Sequence, residues 1–362
     1  MAPNSSQVKK SRRAKLVSRE DPHNPGQLDT HPLVREYFGE QLRRQQTEAW
    51  KECNRRLYDY YRTLAPRLPD SFREMEPLFL AVICGCNAGL FRESLHEVYI
   101  ARIQRENTSF AAKVLGARGP LLSILAHFFE DGSWGSPVET GVEGQSLSAE
   151  DQLFILMQAA LYLTATRALG TSEARICYER AESLCQSLNR PLLLYSTLMG
   201  QWRSSLNTDT LIATMQIAQR IYSLARAQDD CAITIGAHNA LAVTLYYLGD
   251  FESAQQYAKR GVQMWRSASV QSHMEEVHSP AVACMCFAAL SDWHFGEIDS
   301  SRATMAEAIS LAKMLNDMHG LAVAVCNAAM LGYLQRNPIE VERCVSELIS
   351  CQRVTTFRSG WL

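Results

Sequence analysis

The second half of this chain returns to the same pattern at a fixed interval. With a helix-to-helix turn placed at Leu169, Asp209, Gly249, Gly296 and Arg336, the spacings are 40, 40, 47 and 40 residues. One such unit cannot bury its own apolar face, so consecutive units must stack and share a core. The columns keep phase. Five residues beyond the turns stand Ala174, Thr214, Ala254, Ser301 and Val341, small in four of five cases. Nine beyond stand Tyr178, Ala218, Ala258, Met305 and Val345, and twelve beyond Ala181, Ile221, Gly261, Ala308 and Leu348. Small side chains belong where two helix backbones approach closely, and bulkier ones where the gap opens.

Upstream of the repeats the signals are helical too. Of the 362 residues, 47% are hydrophobic and 20% charged, enough apolar surface for a sizeable core. Residues 1–28 are polar, broken by Pro22, Pro25 and Gly26, and read as an irregular basic terminus. Residues 29–130 read as a helical region. Leu33, Tyr37, Leu42, Trp50, Leu57 and Tyr61 suit helix faces, as two helices or as one broken near Gly39. Ser71 with Glu74 forms a capping-box pattern that opens a helix over 72–87, and 90–104 and 121–129 continue the series. Residues 131–148 have four glycines and four serines, the chemistry of a linker and of a domain boundary. Ser148 with Asp151 then caps the first repeat helix, and 149–362 hold about five units.

Charge and cysteine usage narrow the function classes. The net charge is −2, but the first twenty residues carry +5, a solvated terminus rather than a global field for nucleic acid. No secretory signal is expected from MAPNSSQVKKSRRAKLVS. The longest uninterrupted apolar runs, Ala281 to Leu290 and Leu78 to Cys84, fall far short of the roughly 18 to 20 residues of a membrane-spanning helix. Eleven cysteines in such a chain are expected to be reduced thiols in a cytoplasmic protein.

Candidate chemistry is sparse. There is no GxxxxGK[ST] phosphate loop and no GxSxG elbow. Ser6 with Lys9 and Ser310 with Lys313 match S-x-x-K only formally. Cys84 with Cys86, and Cys284 with Cys286, sit two apart, which turns each pair about 200° from one another on a helix. His273, His278, Cys284 and Cys286, beside Glu275 and Glu276, make a four-ligand set whose order fits known zinc spacings poorly. No cofactor and no catalysis are expected.

The unit NALAVTLYYLGDFESAQQYAKRGVQMW has the helix, Gly-Asp-aromatic turn and small-residue helix of a tetratricopeptide unit. Together with YERAESLCQSLNRP and GLAVAVCNAAMLGYLQRN it resembles the long-period tetratricopeptide arrays of bacterial STAND, or NB-ARC-like, signalling ATPases, including MalT-like and adenylate-cyclase-associated arrays. The segment LVSREDPHNPGQLDTHPLVREYFGEQLRR resembles the end of the winged helix that precedes the spacer in those proteins. The resemblance implies the sensor arm of such a protein without its nucleotide-hydrolysing core.

The expected fold is therefore all-α: a winged-helix remnant, a helical spacer, and an antiparallel helical-hairpin solenoid. In such a superhelix the first helix of each unit lines the concave side. By the repeat phase this places Tyr246, Tyr247, Trp293, His294 and Tyr333 in a partner-binding groove, and side chains of these types supply contact area and directed hydrogen bonds. The expected function is a non-catalytic scaffold or sensor for a protein, a peptide or a small inducer. The alternative is a transcriptional regulator that holds nucleic acid with the winged-helix remnant and the basic N-terminus, Lys9, Lys10, Arg12 and Arg13. Because QRVTTFRSGWL occupies the place of a sixth unit, self-association through the C-terminal repeat is also expected.

Overall fold

At three of the five places where the repeat pattern puts a turn, the described backbone makes one. Gly249, Gly296 and Arg336 all have positive φ, at 84°, 78° and 53°, the left-handed conformation that ends a helix. At each, the amide one residue further on donates five residues back: Asp250 to Leu245 at 3.0 Å, Glu297 to Asp292 at 2.9 Å, Asn337 to Gly332 at 2.8 Å. Arg190 does the same to Cys185 at 2.9 Å after Asn189, whose φ is 51°. Leu90 does so to Gly85 at 2.8 Å after Gly89, whose φ is 80°, and this recurring cap satisfies carbonyls that a helix end would otherwise leave bare.

The computed structural model describes residues 32–139, 141–166, 172–208, 210–228, 230–267, 279–315 and 317–359. The expected winged-helix remnant and the turn positions Leu169 and Asp209 lie outside these, as do His273 and His278. Among the described residues no strand forms, and the chain is an all-α stack of helical hairpins.

Five helical runs of eight or more residues precede the repeats: α1 Pro32–Gln45, α2 Thr47–Leu64, α3 Phe72–Asn87, α4 and α5 Arg118–Leu125. Run α4 starts as the short α-helix Phe91–Glu93 and continues as a π-helix, Ser94–Gln104. Helix α3 has the expected bounds, and the Ser71 hydroxyl accepts from the Glu74 amide. The stretch forms two helices, one of the two expected arrangements: α1 runs through Gly39, and the interruption falls at Gln46. A single glycine costs a helix only about 1 kcal/mol, which packing against α2 offsets. Arg102 on α4 closes the far end of α2 by donating to the carbonyls of Arg62, Ala65, Pro66 and Arg67.

The repeats follow as five hairpins. The first helices are α6 Ala149–Thr166, α8 Pro191–Thr208, α10 Cys231–Leu248, α12 Pro280–His294 and α14 Met318–Leu334. The second helices are α7 Ser172–Ser187, α9 Leu211–Gln228, α11 Phe251–Ser267, α13 Ile298–Met314 and α15 Pro338–Ser359. By length and composition, among the described residues, α10 alone is long and apolar enough to cross a bilayer. Polar His238, Asn239 and Thr244 interrupt its apolar run, so no uninterrupted stretch reveals it. It is a core helix, buried by the hairpins on either side, and that explains its lack of a polar face.

The glycine- and serine-rich segment 131–148 does not separate two cores. Val138 donates to the Phe128 carbonyl at 2.8 Å, Trp134 packs on Phe129, and the Cys177 thiol donates to the Trp134 carbonyl at 3.1 Å. One buried cluster runs from Tyr58 on α2 through Phe128 and Leu147 to Cys185 on α7. A second begins at Tyr195 on α8 and extends to Cys344 on α15, with Leu194 packed against both. The first hairpin thus rests on the spacer helices, which cover the end of the stack. Glycine-rich chain suits tight turns as well as linkers; Gly132 and Gly144, at φ 74° and 77°, serve the former.

Candidate functional site

Which side of the stack is concave follows from the helix neighbours. The first helices α10, α12 and α14 pack directly on one another, whereas successive second helices are held apart by the first helix between them. Elements that touch are on the tighter side of a curve, so the first helices form the inner wall and the second helices fan outward.

The predicted groove residues divide on this wall. Tyr246 is buried at 9% exposure, its rim contacted by Phe251 and Phe287, and its hydroxyl lies 3.2 Å from His294 Nε2. His294 stacks flat on Phe251 with ring centroids 3.7 Å apart, and Trp293 is half-buried against the same core. Partial burial holds the His294 imidazole below its usual pKa and pushes the Tyr246 phenol up to about 12. Tyr246, Trp293 and His294 are thus packing between the third and fourth hairpins, whereas Tyr247 is 51% and Tyr333 75% exposed. Tyr247 meets Tyr246 and Phe287 edge-on; Tyr333 makes no ring contact with the other four.

Other residues share the condition of Tyr247. Tyr247, His319 and Cys326 are exposed, yet the surrounding chain desolvates all three: the phenol and the thiol are shifted up, the imidazole down. Exposure together with desolvation is the condition of a concave wall. After desolvation, the next cause acting on His319 is the guanidinium of Arg118, on α5, with Arg203 of α8 also contributing and Asp317 opposing. Asp317 is spoken for: its carboxylate accepts from the Gly320 amide at 2.7 Å and the Ser279 amide at 2.8 Å. Arg118 of the spacer and Arg203 of the second hairpin thus place positive charge within electrostatic reach of His319 on the fifth hairpin. Sequence reasoning missed Arg118 and Arg203, and no spacing signal could have found them, because they are 85 residues apart and His319 is 116 further on.

The remaining chemical candidates have structural duties. The Ser310 hydroxyl donates to the Ala306 carbonyl, and Lys313 pairs with Glu347 at 3.0 Å. Cys84, Cys86, Cys284 and Cys286 are buried free thiols whose pKa rises with desolvation where a shift is resolved; that keeps them protonated and inert. His96 has a carboxylate partner: Asp151 Oδ1 lies 2.8 Å from its Nε2, while Asp151 Oδ2 accepts from the Ser148 amide. That contact fastens α4 to the start of α6. Among the described residues no three His, Cys, Asp or Glu side chains gather to hold a metal ion.

No protein-family model matches the chain, and no curated protein matches it. Among solved structures, a Signal Transduction ATPase with Numerous Domains that carries a tetratricopeptide repeat sensor, from Pyrococcus horikoshii, aligns with a TM-score of 0.45 at 11% identity. The alignment covers 95% of this chain and 51% of that one, so this chain spans about half its length. NprR, in complex with its cognate peptide NprX, aligns with a TM-score of 0.45 at 12% identity, covering 96% and 88%. Both are distant likenesses, and the hairpin architecture rests on the helix packing itself.

Proposed function

We propose that this chain is a non-catalytic helical-repeat binding module whose inner wall holds a peptide or a segment of a partner protein. The supporting observation is His319, exposed yet desolvated at the start of α14, with Arg118 and Arg203 within electrostatic reach of it. An extended ligand laid there gains aromatic contact from Tyr247 and Tyr333 and places acidic or carbonyl groups near the cations. In this reading the module is the sensor arm of a STAND-type signalling protein, and binding is reported to an output module supplied elsewhere.

The test is affinity capture from the native cell with the wild-type chain, with Tyr247→Ala/Tyr333→Ala, and with Arg203→Glu. Loss of one partner from both variants, with circular dichroism unchanged, supports the groove; retention of every partner by both overturns it. Self-association belongs to the same proposal. Ile339, Val345 and Ile349 on α15 are exposed, at 78%, 44% and 47%. Ile339→Glu/Ile349→Glu should return an oligomer to monomer in sedimentation equilibrium; a wild-type chain that is monomeric at micromolar concentration removes this part.

A further inference from the structure

Ion pairs tie neighbouring second helices together along the stack, with one exception. Arg220 of α9 pairs with Glu182 of α7, Arg266 of α11 with Glu307 of α13 at 2.5 Å, and Lys313 of α13 with Glu347 of α15 at 3.0 Å. Between α9 and α11, among the described residues, there is neither an ion pair nor a side-chain hydrogen bond. In their place lies a cavity of about 490 Å³. That size is within the roughly 300 to 1,000 Å³ of ordinary small-molecule sites.

Helix spacing builds its lining. Leu241 and Leu245, four apart on α10, form an apolar base; the first is 4% exposed and the second half-buried. Met215, Gln219, Tyr222 and Ser223 of α9 follow one another at i, i+4, i+7 and i+8, and Ser253 and Tyr257 of α11 at i and i+4, so each set shares a helix face. Tyr222 and Tyr257 meet edge to face, with centroids 5.9 Å apart and planes at 80°. An aromatic contact, not a charge, is what joins these two walls.

The polar groups around the base are uncharged and largely unspent. The Ser223 hydroxyl donates to the Gln219 carbonyl at 2.9 Å. The side-chain amide of Gln219 and the hydroxyls of Tyr222, Tyr257 and Ser253 have no hydrogen-bond partner among the described residues. No charged residue lines the cavity. A carboxylate or ammonium group entering it would give up water without meeting an opposite charge. A hydroxyl or primary amide exchanges water for groups that both donate and accept, and an apolar body gains by covering Met215 and the two leucines.

We propose that the cavity between α9 and α11 binds a small uncharged amphiphile, its aromatic or aliphatic body on Met215, Leu241 and Leu245 and its hydroxyl or amide group bonded to Gln219 and the two tyrosine hydroxyls. The site is separate from the inner groove and does not depend on the peptide-binding proposal.

Methionine-methyl NMR tests this on the full chain, with the Met215 signal assigned from Met215→Leu. Four probes share one body: 3-phenylpropanol and 3-phenylpropanamide are neutral, 3-phenylpropionate is an anion and 3-phenylpropylammonium a cation. The expected result is a saturable shift confined to Met215, with both neutral probes binding about tenfold tighter than either ion. Gln219→Leu combined with Tyr222→Phe and Tyr257→Phe keeps the apolar base and should weaken the neutral probes about tenfold. Ser253→Phe, which fills the cavity from α11, should abolish the shift. The remaining methionine signals check that each variant is folded. A Met215 signal unmoved by all four probes overturns the proposal, as does an ion that binds as tightly as the neutral pair, or neutral binding unchanged in the folded variants.

Discussion

The Tyr246 hydroxyl lies 3.2 Å from Nε2 of His294, one side chain from the last turn of α10 and the other from the last turn of α12. Two residues 48 positions apart are joined because equivalent turns of successive repeats stack. Neighbouring Tyr247, about 100° further round the helix, is 51% exposed. Tyr246→Ala should therefore cost about 3 to 5 kcal/mol in urea unfolding. Tyr247→Ala should cost about 1 kcal/mol or less. Equal losses would mean that the two tyrosines share one environment.

Asp292 is a carboxylate at 1% exposure, held by Lys259 Nζ at 2.8 Å, Gln255 Nε2 at 2.7 Å and the Ser300 hydroxyl at 2.7 Å. Lys259→Met leaves that charge buried without its cation and should destabilise by about 2 to 4 kcal/mol. Adding Asp292→Asn removes the stranded charge, so the double variant should recover most of the loss. A double variant less stable than Lys259→Met alone would show that the ion pair is not the source of the effect.

At Arg336 the last described turn uses a side-chain-bearing residue in the left-handed region, at φ 53°, where the two turns before it use glycine. The conformation costs an ordinary residue about 1 kcal/mol that glycine avoids. Arg336→Gly should raise stability by about that amount in thermal unfolding, and Arg336→Val should lower it. Destabilisation by Arg336→Gly would mean that the side chain contributes more than its strain.

Desolvation, with Arg260 adding to it, lowers the His238 pKa from 6.5 to about 4. Tyr222 of α9, Tyr257 and Arg260 of α11 and Cys284 of α12 lie around it, and no carboxylate acts on it to reverse the shift. The unfolded chain binds this proton first as the pH falls, so the stability tied to neutral His238 is complete above pH 6.5 and is lost toward pH 4. His238→Phe keeps a ring in place and cannot take up the proton. Relative to it, the wild type should lose about 2 kcal/mol between pH 7 and pH 4.5 in denaturant titrations. Parallel pH profiles for the two proteins would contradict the shift.

Local signals were legible wherever a cap or a period stood behind them. Helix α3 could be read from Ser71, Glu74 and the apolar spacing, and the turns at Gly249, Gly296 and Arg336 from the repeat phase. Segment 131–148 was misread because its glycines suit a linker and a packed turn alike; only Trp134 on Phe129 and Leu147 in the core distinguish the two. Of the five groove candidates, the repeat phase placed all on first helices, but it could not say which of them α12 would cover.

What the amino-acid order decides by itself is the helical hairpin and its interval, because caps, turn residues and apolar spacing act within a few residues of one another. What the tertiary structure alone decides is the company each side chain keeps: Tyr246 with His294, His96 with Asp151, Arg118 and Arg203 with His319. Those meetings depend on how each hairpin is rotated against the next. That rotation is set by the shapes of side chains packed from several repeats at once, and no short stretch of sequence contains it.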